Sequence, residues 1–203
     1  GADDQFGYSV AISGDTIVVG AVREDSAATG VNGYQGNYDG LSNSGAAYVF
    51  SPTTTIAWFR SVGAYDGWII ESSEASNIGG SLNANWATFI VGDYNSDRQV
   101  RSILSFDTSA LPGNAVITQV TLKIRKQGQV GEDPFTILGN LLVDIRRPYF
   151  GGNLGLAITD FQTAANRSAV AKFGATPVNN WYIATIGSTG YPFINLTGTT
   201  QFR

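Results

Sequence analysis

Apolar and polar residues alternate with a period of two along much of this chain, and the alternation breaks at short clusters of Gly, Asn, Asp, Ser and Pro. That period puts successive side chains on opposite faces of a strand. The clearest case is Val120-Thr121-Leu122-Lys123-Ile124-Arg125-Lys126, with Val, Leu and Ile on one face and Thr, Lys and Arg on the other. Leu141–Arg146 repeats it, with Leu141, Val143 and Ile145 inward. Trp68–Ile70, Thr88–Val91, Ser102–Phe106, Ala169–Phe173 and Trp181–Ile186 read as further strands. Nearer the start, Tyr8–Ile12 and Thr16–Val19 flank the turn dipeptide Gly14-Asp15 and predict a hairpin. Ala46–Phe50 predicts a third strand beyond a long loop from about Arg23 to Ser44. Leu111-Pro112-Gly113-Asn114 is a turn, and Thr159–Ala165 predicts one or two helical turns capped by Thr159 or Asp160. The expected fold is all-β. A small three-stranded sheet, unable to bury both faces alone, precedes a jelly-roll-type sandwich.

Charge places the boundary between them. Residues 1–57 hold six acids and one base, a net −5, and residues 58–203 hold ten acids and eleven bases, a net +1. Ser51-Pro52-Thr53-Thr54-Thr55 lies at the change and favours an extended connection. The expected organisation is a first domain at 1–52, a linker at 53–59 and a sandwich at 60–203.

Composition narrows the chemistry. Of 203 residues, 43% are hydrophobic and 14% charged, too apolar for a disordered chain. There is no His, which excludes a Ser-His-Asp triad, a His base and a His-ligated metal. There is no Cys, which excludes disulfides, thiol nucleophiles and zinc ribbons, and fits either a reduced cytosol or a surface protein that does without disulfides. A net charge of −4 argues against nucleic acid as a partner. No 18-residue apolar run is present, so no membrane span is expected. The sequence opens on Gly1 without a leader and reads as a mature product or a fragment.

Two resemblances add to this reading. Asp4-Gln5-Phe6-Gly7-Tyr8-Ser9-Val10-Ala11, Ser13–Ala21 and Ser44-Gly45-Ala46-Ala47-Tyr48-Val49-Phe50 resemble an FG-GAP repeat, the blade unit of integrin-type propellers. Phe6-Gly7 matches the first half of that name and Gly20-Ala21-Val22 the second, with Val22 where Pro is usual. The resemblance implies an extracellular, calcium-associated, adhesive blade. A propeller needs several blades, and this chain has one. Residues 60–203 resemble the DNRLRE-type sandwich modules of secreted bacterial proteins. The resemblance rests on Asp66-Gly67-Trp68, Glu71-Ser72-Ser73-Glu74, Asn77-Ile78-Gly79-Gly80, Arg101–Asp107, Leu111–Ile117 and Val120–Lys126. It implies a non-catalytic module similar to carbohydrate-binding modules. Against that pattern the sandwich is expected to lack its last strands, because the sequence stops at Thr200-Gln201-Phe202-Arg203 in what reads as a strand's start. Missing sequence, the N-terminal segment or a strand from another copy would cover such an edge, the last by strand addition.

Calcium is the only cofactor the loops suggest. Asp93-Tyr94-Asn95-Ser96-Asp97 has the spacing that opens an oxygen-ligand loop, although Arg98 stands where Gly is needed. An Asn/Asp-rich turn is the simpler account. Glu24, Asp25, Asn32 and Asp39 are a second oxygen set, in the Gly-rich blade loop. Glu71 and Glu74 form a nominal carboxylate pair, but on a strand they would face opposite ways. Trp68, Trp86, Trp181 and Tyr182 could stack on pyranose rings, with at least half of the four Trp expected in the core. Trp58 and Phe59 are expected to pack between the segments. Lys123, Arg125, Lys126, Arg146 and Arg147 read as solvated strand faces, or as a counterpart to a neighbour's acidic blade. The expectation is a non-enzymatic, extracellular structural or adhesive protein of a bacterial cell surface, its partners other copies of itself in a fibre or a surface polysaccharide. The alternative is a glycan-binding module cut from a larger secreted enzyme or surface protein.

Overall fold

The computed structural model describes residues 3–25, 30–33 and 43–203. The chain forms two compact units, Gly1–Ile56 and Ala57–Arg203. In the first, β1 (Phe6–Ser13), β2 (Thr16–Ala21) and β3 (Ala46–Phe50) make one antiparallel sheet in chain order. Ser13 pairs with Thr16, and Gly14 takes the positive φ, 55°, that a two-residue hairpin turn needs at its first position. The register sets Val10, Val19 and Tyr48 in one row and Ile12, Ile17 and Phe50 in the next. Facing residues share a side, so these six lie on one apolar face.

The two glycines at the repeat's signature positions have separate causes. Gly7 sits at a bulge with φ 92°, where a side chain would be strained. Gly20 is in regular strand, but a Cβ there would stand 2.5 Å from Ser9 Oγ.

The second unit contains β4 (Gly67–Glu71), β5 (Gly79–Asn83), β6 (Gly92–Tyr94), β7 (Arg98–Asp107), β8 (Val120–Arg125), β9 (Leu142–Arg146), β10 (Arg167–Lys172), β11 (Trp181–Ile186) and β12 (Thr199–Phe202). A seven-stranded sheet runs β10-β9-β12-β7-β4-β5, with β6 paired to the start of β7. β8 and β11 form a separate antiparallel pair. Leu122, Ile124, Ala184 and Ile186 of that pair pack with Leu104, Val143, Ile145, Val170 and Phe202 of the large sheet. The unit is therefore a two-layer antiparallel sandwich. Each fully buried residue such as Ile145 or Ile186 contributes about 1.5–3 kcal/mol.

The other face of the large sheet is covered by residues 147–165. Ile69 and Ile103 meet Phe150 and Phe161 there. The expected helical turns shrink to a 3-10 turn at Ile158–Phe161, whose Asp160 Oδ2 accepts from Ala157 N at 2.8 Å.

Three expectations change. Thr88–Val91 is not a strand: Phe89 and Ile90 pack as a covering segment on Trp68, Ile70 and Val100. Two short strands rich in Gly or polar residues, β5 and β6, escape the alternation rule. Most of all, the sandwich does not end on an open edge where its last residues lie. Thr199–Phe202 is an interior strand, bonded to β7 on one side and β9 on the other. The edge expected to stand open there is closed by pairing within the chain.

Candidate functional site

Two of the four oxygen donors proposed for the blade loop, Glu24 and Asp25, are engaged in closing that loop. Glu24 is 4% exposed, and its carbonyl accepts from Gly45 N and Ser44 Oγ, both at 2.9 Å. Its Oε2 accepts from the Tyr48 hydroxyl at 3.2 Å. Burial, then the Glu24 charge, push the Tyr48 hydroxyl pKa above its ordinary value. Asp25 Oδ1 accepts from Asn43 N at 2.7 Å. Together these bonds tie the two stems of the loop. Asn32 is exposed at φ 57°, and Asp39 lies outside the described residues.

Asp93, Asn95 and Asp97 belong to the β6–β7 hairpin. Tyr94 pairs with Arg98, so Asn95, Ser96 and Asp97 form its loop, with positive φ at Ser96 and Asp97. Arg98 Nε donates to Asn95 O at 3.0 Å, and its guanidinium lies 5.7 Å from the Tyr94 ring centre. Arg98, in the place where a calcium loop needs Gly, thus braces the turn. Among the described residues no three His, Cys, Asp or Glu side chains gather around one point.

Glu71 is 4% exposed at the end of β4, while Glu74 is exposed in the loop beyond it. The Glu71 carboxylate accepts from Asn77 N at 2.5 Å, Gln99 N at 3.2 Å and Ser76 Oγ at 3.4 Å. The Asn77 amide above all holds its pKa below the ordinary glutamate value, against the opposing effect of burial. Ala75 and Asn77 have positive φ, so this carboxylate stabilises an otherwise unfavourable loop.

The aromatic candidates part company. Trp68 is 7% exposed and meets Trp86 edge-on at 5.6 Å, which removes it from reach of a ligand. Trp181 and Tyr182, adjacent in β11, point to opposite faces: Tyr182 turns inward against Phe135, at 5.5 Å, and Trp181 turns outward. Of the four Trp, Trp68 alone is buried, fewer than expected; Trp58 is 78%, Trp86 63% and Trp181 41% exposed. The β8–β11 pair has one face on the core, and strand parity gives that face to Tyr182. Trp58 lies over Lys123, with Nζ 5.4 Å from its ring centre.

A polar layer under residues 147–165 was not anticipated. Arg203 pairs with Asp144 at 2.7 Å and also donates to the carbonyls of Asp160, Phe161 and Thr163. Its guanidinium lies 4.4 Å from the Phe150 ring centre, and that of Arg101 lies 4.1 Å from Phe161. Gln201, 2% exposed, accepts from Phe150 N and donates to Ser105 Oγ and Leu154 O. Burial raises the Asp160 pKa, opposed by the Ala157 amide and Arg203. These groups fasten the covering segment to the sheet. The partners of Arg203 and Gln201 lie 40 to 96 residues away, so no local motif marks them.

These features define an all-β protein in which a three-stranded blade-like sheet precedes a two-layer antiparallel sandwich. Residues 1–50 match the family model of the FG-GAP repeat. Such repeats are associated with extracellular, adhesion-type proteins. No curated protein and no solved structure matches the chain. Among the described residues no helix is long and apolar enough to cross a membrane.

Proposed function

We propose that this chain is a non-enzymatic structural or adhesive protein of the bacterial cell surface, its second unit a sandwich module of the DNRLRE type, and that it assembles through its blade. The observation that carries the reading is the blade's apolar face. Phe6, Val10, Ile12, Ile17 and Phe50 are 39–70% exposed on a sheet of only three strands, which cannot bury them itself. Contiguous exposed apolar surface of this kind marks an interaction site. Packing on that face, copy to copy, builds a fibre when the contact is heterologous and a closed oligomer when it is not. Strand addition at the sandwich is not part of the proposal, because β12 occupies that position.

The test is light scattering and negative-stain microscopy of the full chain beside Ile12→Asp and Phe50→Asp. The parent should form fibres or discrete oligomers and both variants should be monomers. A monomeric parent at high concentration refutes assembly through the blade. Turnover of any polysaccharide would refute the non-enzymatic reading.

A further inference from the structure

The large sheet of the second unit is covered on one face by the β8–β11 pair and on the other by residues 147–165. Among the described residues, that leaves the outward face of β8 and β11 as the unit's open sheet face. Its rows are Thr121 with Thr185, Lys123 with Ile183, and Arg125 with Trp181, all exposed. β11 supplies an apolar column, Trp181 and Ile183, 41% and 43% exposed. β8 supplies a cationic one. Lys123 is engaged within the unit, its Nζ over the Trp58 ring at 5.4 Å. Arg125 pairs with no carboxylate among the described residues. The blade presents the complementary arrangement. Ile12, Ile17 and Phe50 form one row of its apolar face, on the side of the β1–β2 turn. Asp15 stands in that turn, exposed and without an ion pair among the described residues. Residues 1–57 carry a net −5 and residues 58–203 a net +1. Blade against blade would therefore oppose two strongly acidic surfaces, whereas blade against β8–β11 matches acid with base.

From this we infer that the apolar face of the blade docks on the outward face of β8 and β11 of a second copy, its last row against Trp181 and Ile183 and Asp15 toward Arg125. The inference rests on assembly through the blade and names the surface that receives it. A contact between two different patches is heterologous. Each added copy leaves one free patch of each kind at the ends, so the assembly grows head to tail. The apolar residues supply the affinity as they leave water. The Asp15–Arg125 pair lies at the rim, where charges set orientation and partner choice more than affinity. Arg takes a carboxylate through two parallel hydrogen bonds, which fixes the register of the two faces. Strand pairing holds both surfaces before they meet and keeps the ordering cost small.

The experiment is complementation between two variants of the full chain, read by sedimentation velocity and light scattering. Ile12→Asp spoils the blade surface and keeps the β8–β11 face, and Ile183→Asp does the reverse. Each alone should be a monomer. An equimolar mixture should form a one-to-one dimer, because one intact surface of each kind remains and growth stops after a single contact. Asp15→Arg should raise the concentration of half-assembly at least about tenfold, and adding Arg125→Asp to it should restore assembly. Asp15 and Arg125 are solvent-facing, so this charge swap serves as the readout if Ile183→Asp melts early. Three results would each overturn the inference and leave assembly through the blade standing: Ile183→Asp assembling like the parent, a mixture that stays monomeric, or a charge swap that restores nothing. A monomeric parent would refute both.

Discussion

Replacing Glu71 separates a structural acid from a catalytic one. Glu71→Ala leaves the amides of Asn77 and Gln99 and the Ser76 hydroxyl without their common acceptor. An abandoned buried donor costs about 1–3 kcal/mol. Asn77 and Gln99 are themselves exposed residues, so water replaces part of the loss. The expected cost is about 2–3 kcal/mol, a fall of roughly 5–10 °C in Tm for a domain of this size. Glu71→Gln keeps one acceptor and should lose about half as much. Because the folded pKa lies below the unfolded one, the carboxylate's contribution is complete above the ordinary glutamate value. It drains away as pH falls through the folded value, and Glu71→Gln should remove that part of the acid dependence. Thermal melts followed by far-ultraviolet circular dichroism from neutral to acid pH read all three effects. A catalytic carboxylate would behave in the opposite way, since its removal commonly costs activity and spares or raises stability. A Glu71→Ala chain that melts with the parent would refute the structural account.

Asp160 gives the contrary pH signature. Its folded pKa is raised, so its contribution is complete below the unfolded value and is lost as pH rises through the folded value. Asp160→Asn should flatten the melting curve against pH just above the ordinary aspartate value of about 3.9, and an unchanged profile would count against a buried carboxylate there. Arg203→Ala removes the Asp144 ion pair and three carbonyl contacts, and should cost about 3–5 kcal/mol by chemical denaturation; a loss under about 1 kcal/mol would show that residues 147–165 are held otherwise. Gly151→Ala sets a Cβ against Asp160 at φ 70° and should lower the melting temperature. The hairpin loop at Asn95–Asp97 is braced by Arg98, so Ca²⁺ added after chelation should leave the melting temperature unchanged; a rise that Asp97→Asn abolishes would restore the calcium reading of the hairpin.

What could be read from the sequence, and what could not, follows one physical line. Trp181–Ile186 and Ala46–Phe50 were delimited to the residue because they are short apolar runs rich in aromatic and β-branched side chains, and β8 nearly so because its apolar residues recur every second position. β12 was read as the start of a strand, but on an open edge, because nothing in Thr199-Thr200-Gln201-Phe202 tells which strands flank it. Yet Thr200 and Gln201 are both buried, satisfied by Asn195 and Thr108 in one case and by Phe150, Ser105 and Leu154 in the other. A polar residue becomes core material only when its partners arrive, and those come from segments up to 96 residues distant. β5 was missed for the converse reason. Gly79 and Gly80 suggest a turn, but a Cβ on the first would overlap Ile158 O and on the second would stand 2.5 Å from Ser72 Cα, so close approach rather than chain reversal accounts for them. The candidate surfaces divide likewise. Outward Lys123 and Arg125 were legible from parity alone. Their grouping with Trp58 and Trp181 depends on a strand partner and a linker residue that only the folded chain brings together. Local periodicity therefore predicts which side chains face outward, whereas a binding surface depends on which of them become neighbours, and strand order decides that.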